Sequence, residues 1–341
     1  MDRGKIKNLI RASAAYVVVA VLAGIAGWFF GVRVAEPKVT VSSSGPSSPA
    51  REGGYDFVNP LLICSRDNAT AVDAGMQTLI QNTVNTEIKN GNVIIASVYY
   101  RRFLDGDWAV VNGGETYYPA SLNKVPLMIA YYNLAEETGT PLTKNIYFPA
   151  GLPDQNAQQE IRPDHPIAPG ESYTADELVN ASIKDSDNNA TLLLLNAIST
   201  STLQTVFSDL QVPFLAQGET PINYMTVTDY AFFFRVLYNA TYLSHADSEK
   251  ALDILSETTF NDGIVAGVPA GTTVAHKFGL VSVAPNGTTV TARELHDCGI
   301  VYPKEQDPYL LCVMTRSTGS LQGVEQAIAD ISRSVYKQAT E

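Results

Sequence analysis

Apolar positions fall into three regimes along the chain. From Ala12 to Val32 they form an uncharged run of 21 residues, bounded by Arg11 and Arg33. At about 1.5 Å of rise per residue, such a run covers roughly 30 Å, one hydrocarbon core. Glu36 to Gly54 has no hydrophobic period and is rich in Ser, Pro and Gly, the composition of a flexible tether. From Tyr55 onward the periods of a folded body take over. Within residues 70–89, Val72, Met76, Leu79, Ile80 and Val84 recur at helical intervals. The stretches 92–102 and 107–112 are β-branched and aromatic and meet across Asp105-Gly106, which predicts a hairpin. Residues 121–257 are mainly helical in pattern. Strand signals return at 271–283, 294–302 and 309–315, and 320–338 closes the chain as a helix.

The order helix, two strands, helical block, three strands, helix predicts an α/β fold of the α+β kind. An antiparallel sheet is flanked by helices, with an all-α lobe over about 126–260. Residues 1–33 are expected as a cytoplasmic tip and transmembrane anchor, 34–54 as a linker, and 55–341 as one folded domain. A cleft between the sheet and the lobe is the natural place for a site.

Charge fixes the expected orientation. The 341 residues carry a net charge of −12, yet residues 1–11 alone are +3 from Arg3, Lys5, Lys7 and Arg11 against Asp2. The positive-inside rule keeps that end in the cytoplasm and exports the acidic body. A cleaved signal peptide is the alternative, although its apolar core is usually only ~7–15 residues; either way the body lies outside the cytoplasm. An acidic body excludes nucleic acid as a partner. Three cysteines are too few for a disulfide scaffold, and no Cys/His spacing suggests zinc. No metal and no cofactor are called for.

Three short motifs carry the candidate chemistry: Ser121-Leu-Asn-Lys124, Ser186-Asp187-Asn188 and Lys277-Phe-Gly279. Ser121 lies where a strand hands over to a helix, so Ser121 and Lys124 share a face beside free N–H groups. Burial and a second nearby cation both depress a lysine pKa, which would let Lys124 take the serine proton. Ser-x-x-Lys alone is weak: Ser334 to Lys337 also matches, on the last helix, and reads as a solvated surface pair. Ser186-Asp187-Asn188 would also serve as a helix N-cap before NATLLLL, and Lys277 as a surface lysine on an edge strand.

Together, in this order and spacing, the motifs resemble those of the class A β-lactamase and penicillin-binding serine enzymes. The resemblance runs from about Tyr55 to the C-terminus and points to a membrane-anchored branch. It implies that Ser121 is the acylated nucleophile and Lys124 its general base. Ser186 would pass a proton to the leaving nitrogen, and Asn188 would hold the substrate's acylamino group. Lys277, followed by Gly279, would supply positive charge. The N–H groups of Ser121 and Leu280 would form an oxyanion hole, worth about 10²–10³ in rate per donor.

Two departures stand out. Phe278 replaces a small hydroxyl residue and cannot donate a hydrogen bond to a substrate carboxylate; Arg293 is the candidate cation to compensate. Glu219 and Asn223 have the spacing of the family's deacylating glutamate and its asparagine partner, in a loop that looks truncated. His296, Asp297 and Cys298 alternate across a strand, so they do not form a triad and are read as packing. Cys298 and Cys312 can oppose each other across a hairpin with Cys64 left over; register decides whether they bond.

Three functions follow, in order. The first is a membrane-anchored serine hydrolase acting on β-lactam amide bonds. The second is a D,D-peptidase on the D-alanyl-D-alanine ends of cell-wall peptides. The third is a non-catalytic tethered protein that binds cell-wall fragments on the same fold, motivated by Phe278.

Overall fold

The computed structural model describes residues 50–63, 71–140, 142–215, 223–283 and 290–341. The apolar run at 12–32, most of the expected linker, Cys64 and Glu219 lie outside the described residues. In chain order the elements are β1 (Ala50–Arg51), β2 (Leu61–Ile63), α1 (Ala74–Lys89), β3 (Ile95–Arg102), β4 (Trp108–Val111) and β5 (Thr116–Tyr117). A 3-10 helix (Ala120–Asn123) follows, then α2 (Lys124–Thr138), β6 (Asn145–Tyr147), β7 (Ser172–Thr174), α3 (Ala175–Lys184), α4 (Asn188–Ala197) and α5 (Thr200–Asp209). The chain continues through β8 (Met225–Thr226), α6 (Val227–Tyr238), α7 (His245–Ser256), α8 (Ile264–Gly267), β9 (Thr273–Val283), β10 (Ala292–Tyr302), β11 (Tyr309–Arg316) and α9 (Leu321–Thr340).

Five strands form one antiparallel sheet in the order β4-β3-β11-β10-β9. The alternation of β3 divides its residues between two cores. Ala96, Val98 and Tyr100 meet α1 and α9 on one face, through Met76, Ile80, Val84, Val324, Ile328 and Val335. Tyr99, Cys298, Ile300, Leu310 and Met314 meet the helical lobe on the other. Both faces are covered, so β10 and β11 are buried along nearly their whole length, and β10 carries Glu294, His296 and Asp297 in with it. Cys298 faces Cys312 directly across β10 and β11, and the two are joined as a disulfide.

At the centre of the lobe, α2 is buried on all sides from Lys124 to Tyr132. A helix apolar all round belongs inside a core, and this one carries a lysine in with it. The lobe is not purely helical. β6 pairs with β7 and β5 with β8, and the loop 148–171 between β6 and β7 has no regular structure. Five prolines (149, 153, 163, 166 and 169) forbid a helix there. The folded body also begins before Tyr55: β1 pairs with β2, and Arg51 bonds Asn239 Oδ1 at 2.9 Å and the Phe103 carbonyl at 3.3 Å. Among the described residues no single helix is long and apolar enough to cross a membrane.

Candidate active site

β5 delivers the chain to the 3-10 helix that holds Ser121, and this helix runs straight on into α2. Ala120, immediately before Ser121, has φ of 50°, and Ser186 has φ of 55°. Left-handed conformations at residues other than glycine concentrate where a site is held in a fixed geometry. Lys124 opens the buried face of α2. Its Nζ bonds the Ser186 carbonyl at 2.7 Å, Ser186 Oγ at 3.0 Å and Asn188 Oδ1 at 2.7 Å. Those three contacts serve both protonation states. An ammonium donates all three, whereas an amine donates two and accepts from the Ser186 hydroxyl. Burial lowers the Lys124 pKa to about 7, against an opposing pull from Asp187.

Asp187, between the two Lys124 partners, does the capping. Its Oδ1 accepts from the N–H groups of Asn189 and Ala190 at the start of α4 and from Asn156 Nδ2 at 3.1 Å. Its Oδ2 accepts from Ile167 N at 2.7 Å. The N-cap role and the lysine contacts therefore coexist, divided among neighbouring residues. Asn156 also accepts from Asn188 N at 2.7 Å, and Asn189 Oδ1 accepts from Gln155 N at 2.8 Å. The proline-rich loop is thus fastened to the Ser186–Asn188 turn. These loop residues escaped the sequence reading; the five prolines were the available signal.

On the opposite wall, β9 is the edge strand of the sheet. Gly279 is required by close approach: a Cβ there would lie 2.6 Å from the Pro119 carbonyl and 3.0 Å from Leu122 N. The strand backbone therefore abuts the 3-10 helix, bringing Leu280 beside Ser121. Lys277 is fully buried, its Nζ has no hydrogen-bond partner among the described residues, and it sits 4.1 Å from the centroid of the Phe278 ring. Burial, reinforced by the Lys124 charge, holds its ammonium well below the usual lysine range. Phe278 in turn stacks on Phe260 at 4.4 Å.

Two cavities meet at Ser121, Asn188, Leu280 and Val281. The first, about 450 Å³, is also lined by Lys124 and is mainly apolar, with Leu127, Leu195, Ile198, Leu203, Phe207 and Phe214 on its walls. The second, about 340 Å³, is polar and is reached by Ser186, Phe278 and the loop residues Gln155, Gln158, Gln159 and Glu160.

Asn223 and Arg293 are not brought into these cavities. Asn223 Nδ2 bonds Glu294 Oε1 at 3.3 Å, a carboxylate already held by Arg316 Nε at 2.7 Å and Tyr118 N at 3.0 Å. Arg293 turns to Glu160 Oε2 at 3.0 Å and the Gly319 carbonyl at 2.9 Å. Lys277 and Arg293 leave β9 and β10 at positions too far apart in register to share a ligand, Lys277 opposite Cys298 and Arg293 opposite Ser282. His296 is buried, donates from Nε2 to the Tyr118 carbonyl and accepts at Nδ1 from Thr315 N. Burial lowers its pKa to about 4, so it is a neutral packing residue. Lys337 of the second Ser-x-x-Lys match pairs with Glu341 on the surface.

Residues 78–339 match the model of the beta-lactamase enzyme family. No curated protein matches the chain in sequence. Among solved structures, PBP-A is 22% identical, with 76% of this chain and 95% of that one covered at a TM-score of 0.63. A mutant of PBP-A in an acyl-enzyme complex with penicillin G gives 22%, 76%, 96% and 0.63 in the same order. The TLA-3 extended-spectrum beta-lactamase is 20% identical, covering 78% and 100% at a TM-score of 0.67. At such identities the likeness is one of fold, and membership rests on the family match over most of the chain. The protein belongs to the beta-lactamase enzyme family.

Proposed function

We propose that this protein is a membrane-anchored enzyme that opens the amide bond of β-lactams through an acyl-enzyme on Ser121, with its catalytic body outside the cytoplasm. One observation carries the chemistry: a single buried amine, Lys124, is bonded to both Ser186 and Asn188 and lies one helical turn from Ser121. Neutral Lys124 takes the proton of Ser121 Oγ as that oxygen adds to the lactam carbonyl. The N–H groups of Ser121 and Leu280 hold the oxyanion. The C–N bond then breaks while Ser186 passes a proton to the departing nitrogen and recovers one from Lys124. Water cleaves the resulting ester, with Glu219 as its base. Ser186 reaches only the polar cavity, so the nitrogen side of the substrate lies there and the acyl side faces the apolar cavity. The penicillin acyl-enzyme known for PBP-A supports the substrate class. The Cys298–Cys312 bridge supports an oxidising location.

A second function, D,D-peptidase action on cell-wall peptides, is favoured by one feature. Among the described residues lining the apolar cavity there is no carboxylate to activate water. Following β-lactam loss by absorbance separates the two: catalytic loss supports the lactamase, and a single stoichiometric turnover supports the peptidase. Fractionation of cells expressing the full chain tests the anchor, which predicts recovery with membranes and protease access from outside only.

A further inference from the structure

We propose that Glu160 makes the nitrogen side of this site selective against substrates bearing a carboxylate there, so that it favours amides whose departing side is neutral or cationic. The inference rests on acylation at Ser121 as described above. Glu160 is the only ionisable residue among the described residues lining the polar cavity, which has no Lys, Arg or His on its wall. Glutamines 155, 158 and 159 line it beside Ser186, and they present uncharged donors and acceptors.

Three cations touch residues of its wall, and each is engaged or closed off. Lys124 gives its Nζ to Ser186 and Asn188 behind that wall. Lys277 is closed off beneath the Phe278 ring, without a hydrogen-bond partner among the described residues. Arg293 spends its guanidinium on Glu160 at 3.0 Å and on the Gly319 carbonyl at 2.9 Å. Glu160 therefore stands where an incoming carboxylate would have to compete for Arg293, and it repels that carboxylate as it does so. Like charges brought together in a partly enclosed site are disfavoured strongly enough to change partner choice. The pair is 17 and 26% exposed in its side chains, so solvent screens the repulsion only in part.

The test uses the full chain in detergent and two probes that share one lactam ring, penicillin G and its uncharged methyl ester. In each, Ser121 Oγ replaces the ring nitrogen on the carbonyl carbon, and that nitrogen leaves with one proton. Intact-protein mass gives the acylation rate. The ester is expected to label Ser121 about tenfold faster than the acid. Glu160→Gln keeps the size of the side chain, removes its charge and frees Arg293; it should bring the ratio to about one or below by accelerating the acid alone. On the unmodified protein, 1 M NaCl should also accelerate the acid and leave the ester unchanged, because screening then acts within about 3 Å; this arm does not depend on the folding of a variant. An acid that labels as fast as the ester, or a ratio unmoved by both Glu160→Gln and salt, overturns the role of Glu160. Failure of both probes to label Ser121 overturns the acyl-enzyme itself, and this inference with it.

Discussion

Lys124 has its charge state set by where its helix must go. Because α2 runs through the middle of the lobe, the side chain is desolvated, and a pKa near 7 follows from burial outweighing Asp187. A general base works only when neutral. The acylation rate should therefore rise as pH increases through about 7 and level off above it, while Lys124→Ala should lose about 10²–10⁴-fold at every pH. Stopped-flow acylation across pH 5–9 checks this; a flat profile would assign the base elsewhere. Gly279 makes an equally local demand. Gly279→Ala places a methyl group 2.6 Å from the Pro119 carbonyl. Thermal unfolding should show a loss of about 2 kcal/mol, and acylation should slow by about 10²-fold as Leu280 moves away from Ser121. That Ser121, Lys124, Ser186 and Asn188 come together was legible from the order and spacing of their motifs. The partners of Asn223 and Arg293 were not legible: each depends on which carboxylate the fold brings near, Glu294 for one and Glu160 for the other.

At the scale of elements, the turn between α3 and α4 joins the catalytic wall to the proline-rich loop. Asp187 accepts from Asn189, Ala190, Asn156 and Ile167 at once, and it is fully buried. Asp187→Ala removes a helix cap and leaves buried donors unmet, an expected loss of about 3 kcal/mol. Urea unfolding measures that loss, and protease cutting within 148–171 should increase in parallel. The five main strands and the long helices were readable from hydrophobic period, since each buries a face that repeats every two or three to four residues. The pairs β6–β7 and β5–β8 were not, because strands of two or three residues carry too short a pattern to register. The all-α expectation failed there for that reason. The linker boundary failed for a different one: Arg51 docks through carbonyls and an amide, which leave no hydrophobic signature.

Across the whole molecule, a sheet covered on both faces joins the α1–α9 layer to the lobe, and the Cys298–Cys312 bridge ties the central strand β11 to its neighbour β10. The bridge spans a sequence separation of 14, so its removal by Cys298→Ala with Cys312→Ala should cost about 3 kcal/mol. Unfolding with and without reductant should show the same loss in the unmodified protein and none in the double variant. Cys298 lies beside β9, opposite Lys277, so a loosened sheet would also release the strand that carries Leu280. The account as a whole depends on one covalent bond. Intact-protein mass of the full chain mixed with penicillin G and its methyl ester, followed by peptide mapping of any adduct, tests that bond directly. The account predicts one equivalent of the lactam joined to Ser121, with none on Ser121→Ala. An adduct that persists in Ser121→Ala, or maps to another residue, would contradict it.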